Sequence, residues 1–233
     1  MVAHRGAQII APENTVTAFR MALKRGFKAI ECDVQSTKDG HLVIIHDETV
    51  DRTTDGHGWV SQLTYDQIAA LTVEGVEHIP TIHQAYYEVA VKAKRKLIVE
   101  IKADSDLHAR HTADALAVFL NRMPARFRRN VEVHSFWYHA LITFKAACPS
   151  VLTAAIVGGG FTGPQIIDIA RATGANGVSL NFEFISPKIV RECHQSKLFV
   201  DAWAIPDGTV LQRLRRFGIN AIVENFTGKM LKA

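Results

Sequence analysis

Glu31 and Asp33 stand two residues apart in an otherwise apolar run, Ile30-Glu31-Cys32-Asp33-Val34. In extended backbone, side chains alternate between faces, so both acids share one face while Ile30, Cys32 and Val34 share the other. Paired carboxylates on a buried strand repel each other and lose hydration, which costs several kcal/mol unless a cation lies between them. Asp39-Gly40 is a tight-turn signal, and the apolar run after it, Leu42-Val43-Ile44-Ile45, ends in His46. The turn folds that imidazole back toward the acid pair. A second alternating run, Leu97–Lys102, puts Ile98, Glu100 and Lys102 on one face. Glu31, Asp33 and Glu100 thus form an oxygen-rich set that suits Mg2+ or Ca2+ better than zinc. The competing reading neutralises each acid with Lys102 or Arg5; three converging acids favour the metal.

There are eleven histidines, so position has to single any out. His57, His83, His108, His111, His139 and His194 read as surface or capping residues. His4 and His46 each end an apolar strand beside the acids, where two imidazoles can deprotonate an attacking hydroxyl and protonate a leaving alkoxide. Arg5 and Lys102 add fixed positive charge for phosphoryl oxygens. Two bases, three hard ligands and two cations describe phosphodiester cleavage better than glycoside or amide hydrolysis.

The elements that must position these groups alternate along the chain. Strands are predicted at Met1–His4, Lys28–Gln35, Leu97–Lys102, Val131–Phe136, Leu152–Val157, Gly177–Asn181, Leu198–Ile205 and Ala221–Asn225, with Leu42–His46 as a hairpin partner. Helices fall between most of them: one with the stripe Val16, Phe19 and Leu23, one opened by Thr64, and one from Thr81 to about Ala93. Others cover Asp106–Asn121, Tyr138–Ala147, Pro164–Thr173, the stretch from Pro187 to about Ser196, and Thr209–Phe217. Gly26, Gly174 and Gly218 read as helix stops. Eight βα units in 233 residues match a single closed (β/α)8 TIM barrel spanning residues 1–233. A doubly wound sheet would want a glycine-rich phosphate turn after its first strand, and there is none. In a barrel the active groups belong at the carboxyl ends of the strands, where His4, Glu31, Asp33, Glu100, Lys102 and Ser135 fall. The basic clusters Lys92–Lys96 and Arg122–Arg129 precede strands, so they lie at the opposite rim and read as a solvated face.

Composition bounds the rest. Hydrophobic residues make up 48%, enough for one large core, and the formal charge of +4 is far from the dense basic stripe of a nucleic-acid binder. Cys32, Cys148 and Cys193 are odd in number and lack metal-finger spacing, which fits a reduced, cytoplasmic protein. No apolar run approaches the roughly 20 residues of an integral membrane segment, and the amino terminus has no signal-peptide layout. A homo-oligomer remains open.

His4-Arg5-Gly6, Pro12-Glu13-Asn14-Thr15, Ile30-Glu31-x-Asp33-Val34, Thr37-x-Asp39-Gly40, His46-Asp47-x-Thr49, Asp51-Arg52-Thr53-Thr54-x-Gly56-x-Gly58, Ile79-Pro80-Thr81 and Glu100-Ile101-Lys102 follow in order. This succession resembles the glycerophosphodiester phosphodiesterase family, PLC-like (β/α)8 barrels, most densely over the first hundred residues. The resemblance implies His4 and His46 as the acid/base pair and Glu31, Asp33 and Glu100 as ligands of a divalent cation. Arg5 and Lys102 would hold the phosphate. The implied activity is hydrolysis of glycerophosphodiesters, such as glycerophosphocholine, to sn-glycerol 3-phosphate and an alcohol. Ser135-Phe136 matches the family's Ser-Phe, placing Ser135 near the substrate and Phe136 in the pocket wall. Trp203 is available to stack on the glycerol side. Three segments depart from the family pattern: Trp203-Ala204-Ile205-Pro206 for Trp-Thr-Val-Asn, Glu224-Asn225 for Thr-Asp, and His83-Gln84 where an acid is usual. They leave room for a lysophospholipase D-like activity on the same fold, or for a barrel that binds phosphate ligands without turnover. A metal amidohydrolase is weaker still, since His-x-His is wanted on the first strand.

Overall fold

The computed structural model describes residues 1–75 and 77–225. Eight parallel strands close a ring: β1 Val2–Ala3, β2 Ala29–Ser36, β3 Lys96–Ile101, β4 Val131–Ser135, β5 Leu152–Val157, β6 Gly177–Asn181, β7 Phe199–Trp203 and β8 Ala221–Glu224. Closure rests on the two-residue β1, which pairs with β2 through Val2↔Ala29 and with β8 through Val2↔Val223. The hairpin strand Leu42–Ile44 lies outside the ring, antiparallel to β2 with Val34 opposite Ile44. This is the (β/α)8 TIM barrel that the sequence predicts. Among the described residues no helix is long and apolar enough to cross a membrane.

Local chemistry sets the helices of the outer layer. Thr15 caps α1 (Val16–Lys24) by accepting from the Ala18 amide, and Ala18, Phe19 and Ala22 are its buried face. Ser105 starts α2 (Asp106–Arg122), and Ser186 with Pro187 starts the helix Pro187–Gln195. Gly174 and Gly218 close their helices in the left-handed conformation.

Most of the core lies between the outward strand faces and these helices. Ile30, Cys32, Val34, Leu97, Val99 and Ile101 are all fully buried there, each contributing about 1.5–3 kcal/mol if it is a large aliphatic. Inside the ring, Val2, Ala29, Ile98 and Val223 make a small dry cluster. A further cluster, including Val43, Ile45, Val60 and Ile68, supports the long excursion between β2 and β3.

Several details differ from the sequence reading. The hairpin strand ends at Ile44, the seventh barrel strand at Trp203, and the helix after Thr81 is α-helical only over Ile82–Tyr86. Tyr87–Lys92 is wound more widely, with the Ala93 amide bonded to the Glu88 carbonyl five residues back. His108 is not a surface residue: it is buried, and its Nε2 lies 2.8 Å from the Ser36 carbonyl, tying α2 to β2. Nor is Lys96 merely solvated, because its Nζ reaches inward to Glu132 Oε2 at 2.6 Å.

Candidate active site

The three acids meet at the carboxyl mouth of the barrel because β2 and β3 run in register, with Asp33 opposite Glu100. One oxygen from each of Glu31, Asp33 and Glu100 lies within 4.8 Å of the others. Glu31 Oε2 accepts from the Arg5 amide at 2.9 Å, whereas its Oε1 is buried without a donor. Asp33 Oδ2 accepts from Asn14 Nδ2 at 2.8 Å, and its Oδ1 is likewise an orphan. Glu100 Oε1 sits 2.6 Å from Lys102 Nζ, an ion pair without good hydrogen-bond alignment. Buried oxygens with no donor are costly unless something electropositive meets them. The donor set and its orphan oxygens therefore fit a divalent cation held by three carboxylates.

Electrostatics agree. Burial, with the charges of Asp33 and Glu100 beside it, pushes the Glu31 carboxyl well above the ordinary range. Glu100 is raised by burial too, against the pull of Lys102. Burial also opposes ionisation of Asp33, yet Lys102, His46 and Arg5 together hold it below the usual carboxylate range.

The two histidines flank this cluster and line one cavity of about 410 Å³ with Arg5, Glu31, Glu100 and Lys102. His4 Nδ1 lies 3.0 Å from Asn225 Oδ1 and 2.9 Å from Gln8 Nε2, while Nε2 is 3.9 Å from Glu31 Oε2. With the Nδ1 proton donated to Asn225, a lone pair remains on Nε2. Burial and the neighbouring Arg5 charge hold His4 below the ordinary imidazole range. His46 is oriented from the other side: its Nδ1 is 2.7 Å from Asp47 Oδ1, which leaves Nε2 for the cavity. Asp47 is itself clamped by Arg52, whose hydrogen bonds hold that carboxyl down at about 2. Arg52 and Arg5 both bind Glu13 Oε1, at 2.6 and 3.0 Å, so a single carboxylate ties the His4 loop to the His46 loop.

Backbone strain gathers here. Arg5, Asn14 and Ala204 all adopt positive φ (51°, 58° and 61°), unusual for residues with a side chain. At Arg5 this conformation aims the amide at Glu31; at Asn14 it lets the side chain bracket Asp33, with Oδ1 accepting from the Asp33 amide at 3.2 Å.

Trp203 and Phe136 form the apolar wall, edge to face with ring centroids 5.8 Å apart, and the Lys102 ammonium lies 5.7 Å from the Phe136 centroid. Ser135 is not among the residues that line the cavity. It is fully buried, its hydroxyl donates to the Ile101 carbonyl at 2.8 Å and accepts from the Trp137 amide at 3.0 Å, so it ties two strand ends together instead of lining the cavity. Unforeseen participants include Gln8, Asn225, Asp47, Arg52 and His134, the last reaching the cavity floor. His134 did leave a signal: Val131-Glu132-Val133-His134 alternates like the Glu31–Asp33 run.

Residues 4–229 match the model of the glycerophosphoryl diester phosphodiesterase family. A glycerophosphodiester phosphodiesterase of Caldanaerobacter subterraneus subsp. tengcongensis is 30% identical over 96% of this chain and 92% of its own length. Among solved structures, a phosphodiesterase of Oleispira antarctica, in complex with its product sn-glycerol-3-phosphate, superposes with a TM-score of 0.89 at 26% identity, over 99% of this chain and 94% of that one. The Thermotoga maritima glycerophosphodiester phosphodiesterase shares the fold at a TM-score of 0.80 and 19% identity, covering 99% and 95%. The chain belongs to the glycerophosphoryl diester phosphodiesterase family, whose members are phosphoric diester hydrolases.

Proposed function

We propose that the protein hydrolyses glycerophosphodiesters to sn-glycerol 3-phosphate and an alcohol, with His4 and His46 as general base and general acid and Glu31, Asp33 and Glu100 holding a divalent cation. The observation that carries this reading is the convergence of both imidazoles, Glu31, Glu100 and Lys102 on one cavity. The phosphoryl group is bound by the Lys102 ammonium and the Arg5 guanidinium. One imidazole takes the proton of the attacking oxygen, either water directly or the glycerol 2-hydroxyl. The other returns a proton to the departing alkoxide. With the 2-hydroxyl as nucleophile, the alcohol leaves with formation of a cyclic phosphate, which water then opens to sn-glycerol 3-phosphate. His4, kept neutral by burial and Arg5, suits the role of base; Asp47 fixes the His46 ring for the complementary transfer. A bound cation supplies Lewis-acid stabilisation of the phosphoryl oxygens.

A second cavity, of about 430 Å³, shares His46, Glu100, Lys102 and Phe136 with the first. Two lobes meeting at the phosphate-binding groups suit a diester with a substituent on each side. Purified wild type, His4→Ala and His46→Ala should be assayed on glycerophosphocholine with cation added and removed. Each variant is expected to lose roughly 10²-fold or more in turnover. Near-normal turnover by both would remove the assigned roles.

A lysophospholipase D-like activity has one observation in its favour. Phe136, Phe161 and Phe184 are all exposed by more than a third, and each lies where a side chain on Gly158, Gly159 or Gly160 would meet it. Release of choline from lysophosphatidylcholine at a rate matching the water-soluble diester would establish it; no release would exclude it.

A further inference from the structure

The net charge of +4 conceals a strong asymmetry. The junctions entering β2, β3 and β4, taken from the last turn of the preceding long helix (so that the short helix Ala125–Arg128 is included before β4) to the first strand residue, carry eleven basic residues, within Lys24–Lys28, Lys92–Lys96 and Arg122–Arg129. No Asp or Glu falls in those three segments. By the same count, the four junctions entering β5 to β8 carry five: Lys145, Arg171, Lys197, Arg215 and Arg216. The preference of helix carboxyl ends for cations accounts for about one per junction, not nearly four. Setting the eleven aside leaves sixteen basic residues against twenty-three acidic ones, a net of −7 for the remainder of the chain.

The three segments form one surface. The Lys96 amide bonds to the Lys28 carbonyl at 3.3 Å, the Leu97 amide to the Asn130 carbonyl at 2.8 Å, and Asn130 Nδ2 to the Ala90 carbonyl at 3.2 Å. Lys92 pairs with Glu88 and Lys96 with Glu132, while Arg128 donates to the carbonyls of Leu120 and Asn121. Among the described residues the other eight have no carboxylate partner. Like charges crowded without acids repel one another, so the patch stands at a cost that an anionic partner would relieve.

We infer that this amino-terminal face of the barrel docks onto an anionic phospholipid surface, with the active-site mouth turned to water. The aromatic residues of the patch, Phe27 and Phe127, are respectively buried and packed against the core, so no free ring is offered for stacking nucleic-acid bases. What remains is diffuse positive charge over three adjacent loops, the arrangement that binds anionic bilayers. The choice of lipid over duplex nucleic acid rests on the function proposed above. A glycerophosphodiester is a phospholipid stripped of its acyl chains, and hydrolysis of carboxylic esters at a membrane must supply it. Docking by the base would hold the enzyme where that product is released.

The test is co-sedimentation with phosphatidylcholine vesicles, with and without phosphatidylglycerol, at low and high salt. The proteins are the wild type and the triple variant Arg95→Gln/Arg126→Gln/Arg129→Gln. Wild type should sediment only with anionic vesicles and be released by salt. The triple variant should lose roughly a hundredfold in partition, about fivefold per charge, while turning over a soluble diester normally. If it loses turnover as well, Arg95→Gln and Arg129→Gln are measured singly, each with about a fivefold loss expected. Equal sedimentation with neutral vesicles, undiminished binding by the variants, or stronger retention by duplex nucleic acid at the same ionic strength would overturn the inference. Vesicle binding without diester turnover would remove the proposed activity and leave the docking surface standing.

Discussion

If Glu31, Asp33 and Glu100 hold a cation, the melting temperatures of wild type and a charge-neutral variant should change order when cation is added. In wild type without cation, three carboxyls share a buried site, two of their oxygens have no donor, and Glu31 is pushed well up in pKa by burial and its neighbours. Glu31→Gln keeps an oxygen for the Arg5 amide and removes the repulsion from Asp33 and Glu100, so without cation it should melt at or above wild type. A ligand at a hundred times its Kd adds about 2.7 kcal/mol to unfolding free energy. For a chain of this length that corresponds to a rise of roughly 5–11 °C. Wild type should gain that much with saturating Mg2+ or Ca2+, and Glu31→Gln far less, so the loaded proteins melt in the opposite order. Differential scanning fluorimetry with chelator, then with each ion, reads this without any substrate. An unmoved wild-type transition, or an equal shift in both proteins, would refute the reasoning.

Three further outcomes follow from particular contacts. Asp47→Ala frees the His46 ring, and should lower kcat by roughly 10²-fold with KM little changed; a change confined to KM would deny the positioning role. At Gly6, φ is +80° and an added Cβ would sit 2.8 Å from the Ala18 backbone, so Gly6→Ala should destabilise by about 2 kcal/mol or more on denaturant unfolding. Asp201, inside the ring, is raised by burial from 3.8 to about 6. Its stabilising contribution is therefore full below pH 3.8 and lost as pH rises through about 6. Asp201→Asn should be more stable than wild type at pH 7 by up to about 3 kcal/mol, and no more stable below pH 4. Parallel stability curves for the two proteins would contradict that sign.

Much of the site was legible because strand alternation is a strict code. Glu31 with Asp33, and Glu100 with Lys102, face the mouth as their spacing requires, and parallel pairing of β2 with β3 brings the sets together. Residues that orient the two imidazoles and the acids were harder to read, since their partners are remote in sequence. Asn225 reaches His4 across 221 positions, and that contact exists only because β8 closes against β1. Asn14 and Arg5 act through positive φ, which sequence types other than glycine rarely announce. For Ser135 the position at a strand end was legible, while the direction of its hydroxyl depends on the neighbouring Ile101 carbonyl. The basic clusters Lys92–Lys96 and Arg122–Arg129 were legible, and so was their rim; that they adjoin Lys24–Lys28 in one surface depends on the pairing of β2 with β3 and of β3 with β4.

The barrel interior contains a second group of ligand-type side chains, Glu132, His134 and Asp201, also with one atom each within 4.8 Å. Proximity alone does not make the two groups equivalent. Glu132 already accepts from His134 at 2.8 Å and from Lys96 at 2.6 Å, and these partners hold its carboxyl down at about 2 despite burial. None of its three members has a buried polar atom left without a partner, whereas Glu31 Oε1 and Asp33 Oδ1 both do. The lower group therefore satisfies its polar atoms from within, whereas the upper group, with Arg5 and Lys102 beside it, still keeps buried oxygens that no hydrogen-bond donor meets and that a divalent cation would. A divalent ion should accordingly stabilise wild type through the upper acids alone, and Glu132→Gln should leave the cation-induced melting shift in place even as it lowers stability by stranding Lys96 and His134.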